Sequence, residues 1–161
     1  MRSLDPDSMA PDFTLPSLPG ETVALASYRG QPLVLVFYPA DFSPDCGDQL
    51  TLYNEVLPEF ERLGARLLAV SVDNVYSHAA FHKSRNLHFA LGSDFNPKGA
   101  VTRSYGVYNE QTGMSERALF VLDEAGIIQW CHVSPHTSVV PGAEGILDAL
   151  EALAARTQGG P

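Results

Sequence analysis

The stretch from Pro32 to Leu50 reads PLVLVFYPADFSPDCGDQL, and it decides the fold. Its first seven residues, Pro32 to Tyr38, are an unbroken β-branched, leucine and aromatic run. A run of that length without polar alternation marks a strand buried on both faces of a sheet. Pro39 ends it. A short loop follows, and from about Asp45 the apolar residues Leu50, Tyr53, Leu57, Phe60 and Leu63 recur at three- and four-residue steps, the pattern of one helix face. Pro58 lies inside this pattern, and Gly64 reads as its stop. Ala65 to Val72 (ARLLAVSV) is a second buried strand, so the unit is strand, helix, strand, which requires a right-handed crossover between parallel strands.

Working outward, Phe13 to Leu15 and Thr22 to Leu25 flank Pro16 to Gly20 and read as a small N-terminal hairpin. Beyond the crossover, Ser77 to Arg85 is a short helix with Asn74 or Ser77 as its cap. Phe89 to Leu91 is a short strand, and Lys98 to Tyr105 a short helix closed by Gly106. Ala118 to Leu122 and Ile127 to Val133 form an antiparallel pair joined through Asp123-Glu124-Ala125-Gly126. The last helix runs from Ala143 to Arg156, with Ile146, Leu147, Leu150 and Leu153 on one face. The expected fold is α/β and thioredoxin-like: a mixed central sheet flanked by helices, with an N-terminal β-hairpin extension. The chain of 161 residues is expected to be one domain, with an ordered core over about residues 9–156 and frayed ends.

Charge narrows the function. Ten Lys and Arg against 19 Asp and Glu give a net charge of −9, which repels phosphate backbones and anionic lipid and excludes nucleic acid and membrane surfaces as natural partners. The N-terminus MRSLDPDSMAPD lacks the apolar core of a secretory signal. Two cysteines, Cys46 and Cys131, are too few for a disulfide framework, and a cytoplasmic, reducing location is expected.

Cys46 stands where the buried strand has ended and the helix begins. Open α/β sheets carry their sites at the carboxyl ends of the strands, and a helix N-terminus offers unpaired N–H groups and a positive dipole end that stabilise a thiolate. Its neighbours Pro44, Asp45, Gly47 and Asp48 do not form a core environment, which favours a reactive thiol over a packed one. Ser43 is placed to donate a hydrogen bond to a thiolate or an oxygen substrate, or to cap the helix, and Pro44 suits its first turn.

Pro39, Ser43 and Cys46 together fit the pattern P-x-x-x-[ST]-x-x-C, and the chain resembles the peroxiredoxins from about Met9 to Leu153, most closely the bacterioferritin-comigratory and one-cysteine branches. The opening Ala10-Pro11-Asp12-Phe13 and the block Arg117 to Asp123 (RALFVLD) carry the likeness further. The resemblance implies a thiol peroxidase that reduces hydrogen peroxide and organic hydroperoxides through a sulfenic acid, with no metal and no cofactor. Cys46 is then the nucleophile, Ser43 and the Cys46 N–H hold the peroxide, Pro39 screens the pocket, and Arg117 faces the thiolate. Gln49 matches a position that orients the arginine, although a solvated helix residue is an equal reading of it.

The chain departs from many relatives in its resolving thiol. The bacterioferritin-comigratory branch often has a cysteine where this chain has Thr51, and the segment from Asn74 to Asn86 has none. Cys131 remains. A hairpin turning at Glu124-Ala125 sets it opposite Ala118 and near Arg117, yet a packed strand residue is the favoured reading. The expectation is a one-cysteine cycle completed by an external thiol: a thioredoxin-like or mycoredoxin-like protein, or a small thiol. A thiol–disulfide oxidoreductase is disfavoured because Cys46-Gly47-Asp48-Gln49 is not C-x-x-C. A non-catalytic scaffold is disfavoured because Pro39, Ser43, Cys46 and Arg117 are all present. His78 and His82, one helical turn apart, have the spacing of a metal pair, but solvated or locally bonded histidines are favoured. A homodimer is expected from the aromatic-rich segments at Tyr105 to Tyr108 and Tyr76, read as exposed.

Overall fold

The computed structural model describes residues 3–158. Two short strands, β1 (Thr14–Pro16) and β2 (Thr22–Ala24), pair antiparallel as the expected hairpin. The central sheet then takes β3 (Leu33–Phe37), β4 (Arg66–Ser71), β5 (Ala90–Ser93), β8 (Ala118–Leu122) and β9 (Ile128–Val133). The order across it is β5-β4-β3-β8-β9, with β3, β4 and β5 parallel and β8 and β9 antiparallel to their neighbours. Two-residue strands β6 (Tyr108–Asn109) and β7 (Met114–Ser115) make a small separate hairpin.

The longest helix, α1 (Pro44–Arg62), begins with a Ser43 cap and Pro44 in its first turn, and it continues through Pro58. Gly64, at φ +81°, ends it in the left-handed conformation that suits glycine, and Ala65 N–H closes back on Phe60 O at 2.9 Å. Helix α2 (Val75–Ser84) is capped by Asn74, whose side chain accepts from the N–H groups of Tyr76 and Ser77. Helices α3 (Ala100–Ser104) and α4 (Glu144–Gln158) complete the chain. A mixed sheet in this order with helices against it is the thioredoxin-like arrangement.

Two apolar cores lie on opposite faces of the sheet. One joins Val34, Val36, Leu67, Ala69, Leu119 and Val121 to Cys46, Leu50, Tyr53 and Phe60 of α1, Phe81 of α2, and Ile146, Leu150 and Leu153 of α4. The other joins Leu33, Leu35, Phe37, Leu68, Val70, Phe120 and Ile128 to Phe13, Leu15, Val23, Leu25 and Tyr28 of the N-terminal segment, and to Tyr105 and Val107. The second face is therefore covered as much by the N-terminal extension as by helix. Alternate side chains of β3 supply the two cores, which is why its sequence shows no polar alternation.

Three expectations are corrected. The β8–β9 register pairs Ala118 with Val133 and Cys131 with Phe120, and Gln129 is an extra residue between the Val121–Trp130 and Leu122–Ile128 pairs. The turn is centred on Ala125, with Asp123 N–H donating to Ile127 O, and this shift and the bulge together move Cys131 from the expected Ala118 to Phe120. Tyr105 is fully buried, its ring against Phe13, Phe37 and Phe120 and its hydroxyl donating to Pro11 O at 2.8 Å, so it offers no surface to a partner. Tyr76 alone of the two aromatic sites is strongly exposed. The residues before Met9 are tied into the fold: Leu4 N–H donates to Tyr105 O and Asp7 N–H to Ile128 O. The expected fraying of the last residues lies largely outside the described residues. No helix among the described residues is long and apolar enough to cross a membrane.

Candidate active site

β3 ends at Phe37, and the next six residues turn the chain into α1, so Cys46 lies in the first helical turn at the carboxyl end of the central strand. Ser43 is the N-cap. Its Oγ accepts from Cys46 N–H at 3.2 Å, which satisfies one of the orphan amides of the helix start. The Cys46 amide expected to hold substrate is thus already engaged by Ser43. No described residue accepts the Ser43 hydroxyl proton, which leaves that donor available. Pro39 is buried directly after Tyr38, and Cys46 itself is completely buried.

Arg117 precedes β8, the strand paired antiparallel to β3, and this pairing delivers its side chain to the cysteine. Arg117 Nη1 lies 3.5 Å from Cys46 Sγ and donates to Gln49 Oε1 at 2.5 Å. Arg117 Nε donates to Thr137 O at 2.8 Å. The guanidinium is only 2% exposed, and no carboxylate pairs with it among the described residues. The guanidinium is thus held by neutral acceptors, and Cys46 Sγ is the sulfur beside it.

Gln49 is fully buried, which decides between the two readings of it: it is not a solvated helix residue. Its Nε2 donates to Tyr53 Oη at 3.1 Å, and Tyr53 Oη donates to Pro141 O at 2.8 Å. Burial pushes the Tyr53 hydroxyl up to about 12, so it serves as a neutral relay of hydrogen bonds. Tyr53 escaped the sequence reading as a site residue because it also fits the apolar stripe of α1. Its i, i+4 spacing from Gln49 was the available signal.

Cys131 does not join the site. It pairs with Phe120 and packs with the core on the opposite face of the sheet from Cys46, and its Sγ contacts Leu4 O at 3.5 Å. Burial, aided by the charge of Asp5, pushes its thiol up, so it is a poor thiolate. Both cysteines are free. Thr51, at the position where relatives often carry a resolving thiol, accepts instead from Arg85 Nη1 at 3.3 Å.

The histidines do not form a metal pair. His82 Nε2 meets Phe89 O at 3.1 Å, while His78 is buried and bonds Asp41 and the Gly92 carbonyl. The sequence weighed His78 only as a partner of His82 and did not single out Asp41, because Asp41 and His78 stand 37 positions apart with no motif linking them.

Comparison with known proteins identifies the family. The AhpC/TSA family model matches residues 6–131. Alkyl hydroperoxide reductase E of Mycobacterium tuberculosis (strain H37Rv) is 40% identical over 131 residues, covering 81% of this chain and 86% of that protein. Peroxiredoxin Q, chloroplastic, of Triticum aestivum is 36% identical over 126 residues, covering 78% of this chain and 57% of that protein. The crystal structure of peroxidoxin BcpB from Mycobacterium tuberculosis superposes with a TM-score of 0.81 at 27% identity, covering 92% of this chain and 97% of that one. The match spans the strand that leads towards Cys46, the helix that carries it and the strand that brings Arg117 to it, and the chain belongs to the AhpC/TSA family, the thiol-dependent peroxidases called peroxiredoxins.

Proposed function

We propose that this chain reduces hydrogen peroxide and organic hydroperoxides with Cys46 as the nucleophile, in a one-cysteine cycle. The observation that carries this reading is the buried Arg117–Cys46 contact, with no carboxylate to neutralise the arginine. The Cys46 thiolate attacks the hydroxyl-bearing oxygen of the peroxide. The S–O bond forms as the O–O bond breaks, and sulfur loses two electrons to oxygen. The departing alkoxide or hydroxide takes up one proton and leaves as alcohol or water, and Cys46 becomes a sulfenic acid. Arg117 stabilises the thiolate and then the charge that spreads over the two oxygens, as fixed donors do in an oxyanion site. Ser43 donates its free hydroxyl proton to the peroxide, Pro39 screens the sulfur, and Gln49 holds the guanidinium in orientation.

Recovery requires two external thiols. The first condenses with the sulfenic acid, releasing water and leaving a mixed disulfide. The second displaces the Cys46 thiolate and carries away the disulfide. The placement of Cys131 on the other face of the sheet supports an external reductant, either a thioredoxin-like protein or a small thiol. The same reading takes the chain as one domain of the bacterioferritin-comigratory-like branch, working in a reducing cytoplasm, which two free cysteines suit. It also takes the chain to self-associate. Phe42, Tyr76 and Phe95 are each more than half exposed, and they follow the carboxyl ends of β3, β4 and β5 respectively, so the exposed aromatics gather at one edge beside the cysteine.

Stopped-flow mixing of reduced protein with hydrogen peroxide tests the reading. A single saturable oxidation with one equivalent consumed, absent in Cys46→Ser and present in Cys131→Ser, is the expected result. Oxidation that survives in Cys46→Ser would overturn it.

A further inference from the structure

The loop that carries the cysteine is fastened by a buried polar network that peroxide chemistry leaves unused. Asp41 stands two residues before Ser43 and is buried. Its Oδ1 accepts from Tyr38 Oη at 2.6 Å, and its Oδ2 accepts from Ser77 Oγ at 2.8 Å and meets His78 Nδ1 at 2.8 Å. Its backbone N–H donates to Asp73 Oδ2 at 2.8 Å, and Asp73 Oδ2 also accepts from Ser71 Oγ at 2.6 Å. His78 Nε2 lies 3.0 Å from the Gly92 carbonyl of β5. A carbonyl only accepts, so Nε2 carries a proton there, and Nδ1 shares the second hydrogen bond with the Asp41 carboxyl. The ring is thus held at both nitrogens, between the sheet on one side and the cysteine loop on the other.

This cluster is not a metal centre. Ligand atoms of Asp41, Asp73 and His78 lie within 4.8 Å of one another, but protein hydrogen bonds already engage them and the second nitrogen of His78. Its effect falls on the loop. Phe42, next to Asp41, is held at φ +66°, a region that is strained for a side chain of its size and persists only when the surroundings enforce it. Its ring stands edge-on to Phe81 of the same helix that carries His78.

The site also makes two opposed demands. The Arg117 contact needs the loop closed, whereas Cys46 is completely buried, so a thiol can reach its sulfur only if the loop opens. We infer that His78 is a positioning residue that, by holding Asp41, keeps the Tyr38–Ser43 loop and the first turn of α1 closed for the peroxide step and sets how readily the loop opens to a thiol. The inference rests on the reading of Cys46 as the peroxide-reducing cysteine. His78 touches neither Cys46 nor Arg117.

The test compares His78→Leu and Ser77→Ala with the parent protein in two measurements. One is the rate constant for Cys46 oxidation by hydrogen peroxide. The other is the rate at which N-ethylmaleimide labels Cys46 in the reduced protein, with Cys131 on the opposite face as internal reference. His78→Leu should slow oxidation about ten-fold or more, the scale of a displaced reacting group. It should speed Cys46 labelling by about ten-fold, the scale of a lost hydrogen bond to a charged group, while Cys131 labelling stays at the parent rate. Ser77→Ala, which removes one partner of Asp41, should shift both rates in the same directions by about three-fold. Global destabilisation would raise the labelling of both cysteines together, and that outcome, or an unchanged Cys46-to-Cys131 ratio, overturns the inference. If His78→Leu does not fold, the Ser77→Ala ratio decides alone. Parent protein that fails to oxidise at Cys46 would overturn the peroxidase reading instead, and the labelling ratio would still judge the role of His78 in closing the loop.

Discussion

Arg117 Nη1 serves Cys46 Sγ, at 3.5 Å, and Gln49 Oε1, at 2.5 Å, from the same nitrogen, so the aim of the guanidinium at sulfur is set by a neutral amide one turn along the cysteine's own helix. Gln49 in turn leans on Tyr53, and Tyr53 on the Pro141 carbonyl. Gln49→Leu removes this brace without introducing charge. Peroxide reduction should slow by about ten-fold or more through misorientation, with a smaller loss in Tyr53→Phe, because only the outer link is cut. Stopped-flow oxidation rates check the order.

Arg117→Met separates two contributions of the cation. At a pH where ultraviolet absorbance reports Cys46 fully ionised, oxidation should still be slower by about a hundred- to a thousand-fold, the scale of losing a fixed donor to developing charge. Rates equal to the parent under that condition would reduce Arg117 to an electrostatic bystander.

Cys131 should be dispensable. Its thiol is pushed up by burial, so the neutral form persists to higher pH than for an ordinary cysteine, and alkylation at Cys131 should rise only at alkaline pH. Cys131→Ser should keep full turnover with an external thiol and lose only about 1 kcal/mol of stability in denaturant titration.

The strand–loop–helix around Cys46 was legible because each step of it is local. An apolar run sets β3, Pro39 breaks it, Ser43 and Pro44 start α1, and Gly64 stops it. What failed was non-local. A turn centred on Ala125 and the extra residue at Gln129 each shift the β8–β9 register by one place and together take Cys131 from Ala118 to Phe120, and hairpin length alone reveals neither. Tyr105 looked exposed because its cover, Phe13 and Pro11, comes from the other end of the chain. His78 read as a solvated or locally bonded histidine. It is bonded, but its carboxylate partner sits in the cysteine loop, which no periodicity signals.

Asp73 offers a pH test of the network behind that loop. Burial, and then the charge of Asp41, raises its carboxyl above the ordinary range against the opposing Ser71 hydrogen bond. A raised carboxyl favours the protonated native state, so its contribution to stability is present below the ordinary carboxylate range and is lost as pH rises through the folded value. Asp73→Asn keeps an acceptor for Asp41 N–H and Ser71 Oγ without the charge. Its Tm relative to the parent should therefore be higher at neutral pH than in acid. The opposite trend would show that the network needs the negative charge.

The central claim is a one-cysteine cycle at Cys46, and non-reducing mass spectrometry after one equivalent of hydrogen peroxide tests it most directly. With dimedone present, the expected product is a single adduct on the peptide holding Cys46, with Cys131 unmodified, because the two thiols lie on opposite faces of the sheet and a disulfide requires Cα atoms about 4.4–6.8 Å apart. A loss of two hydrogens mapped to a Cys46–Cys131 peptide pair, or an adduct on Cys131 alone, would contradict it.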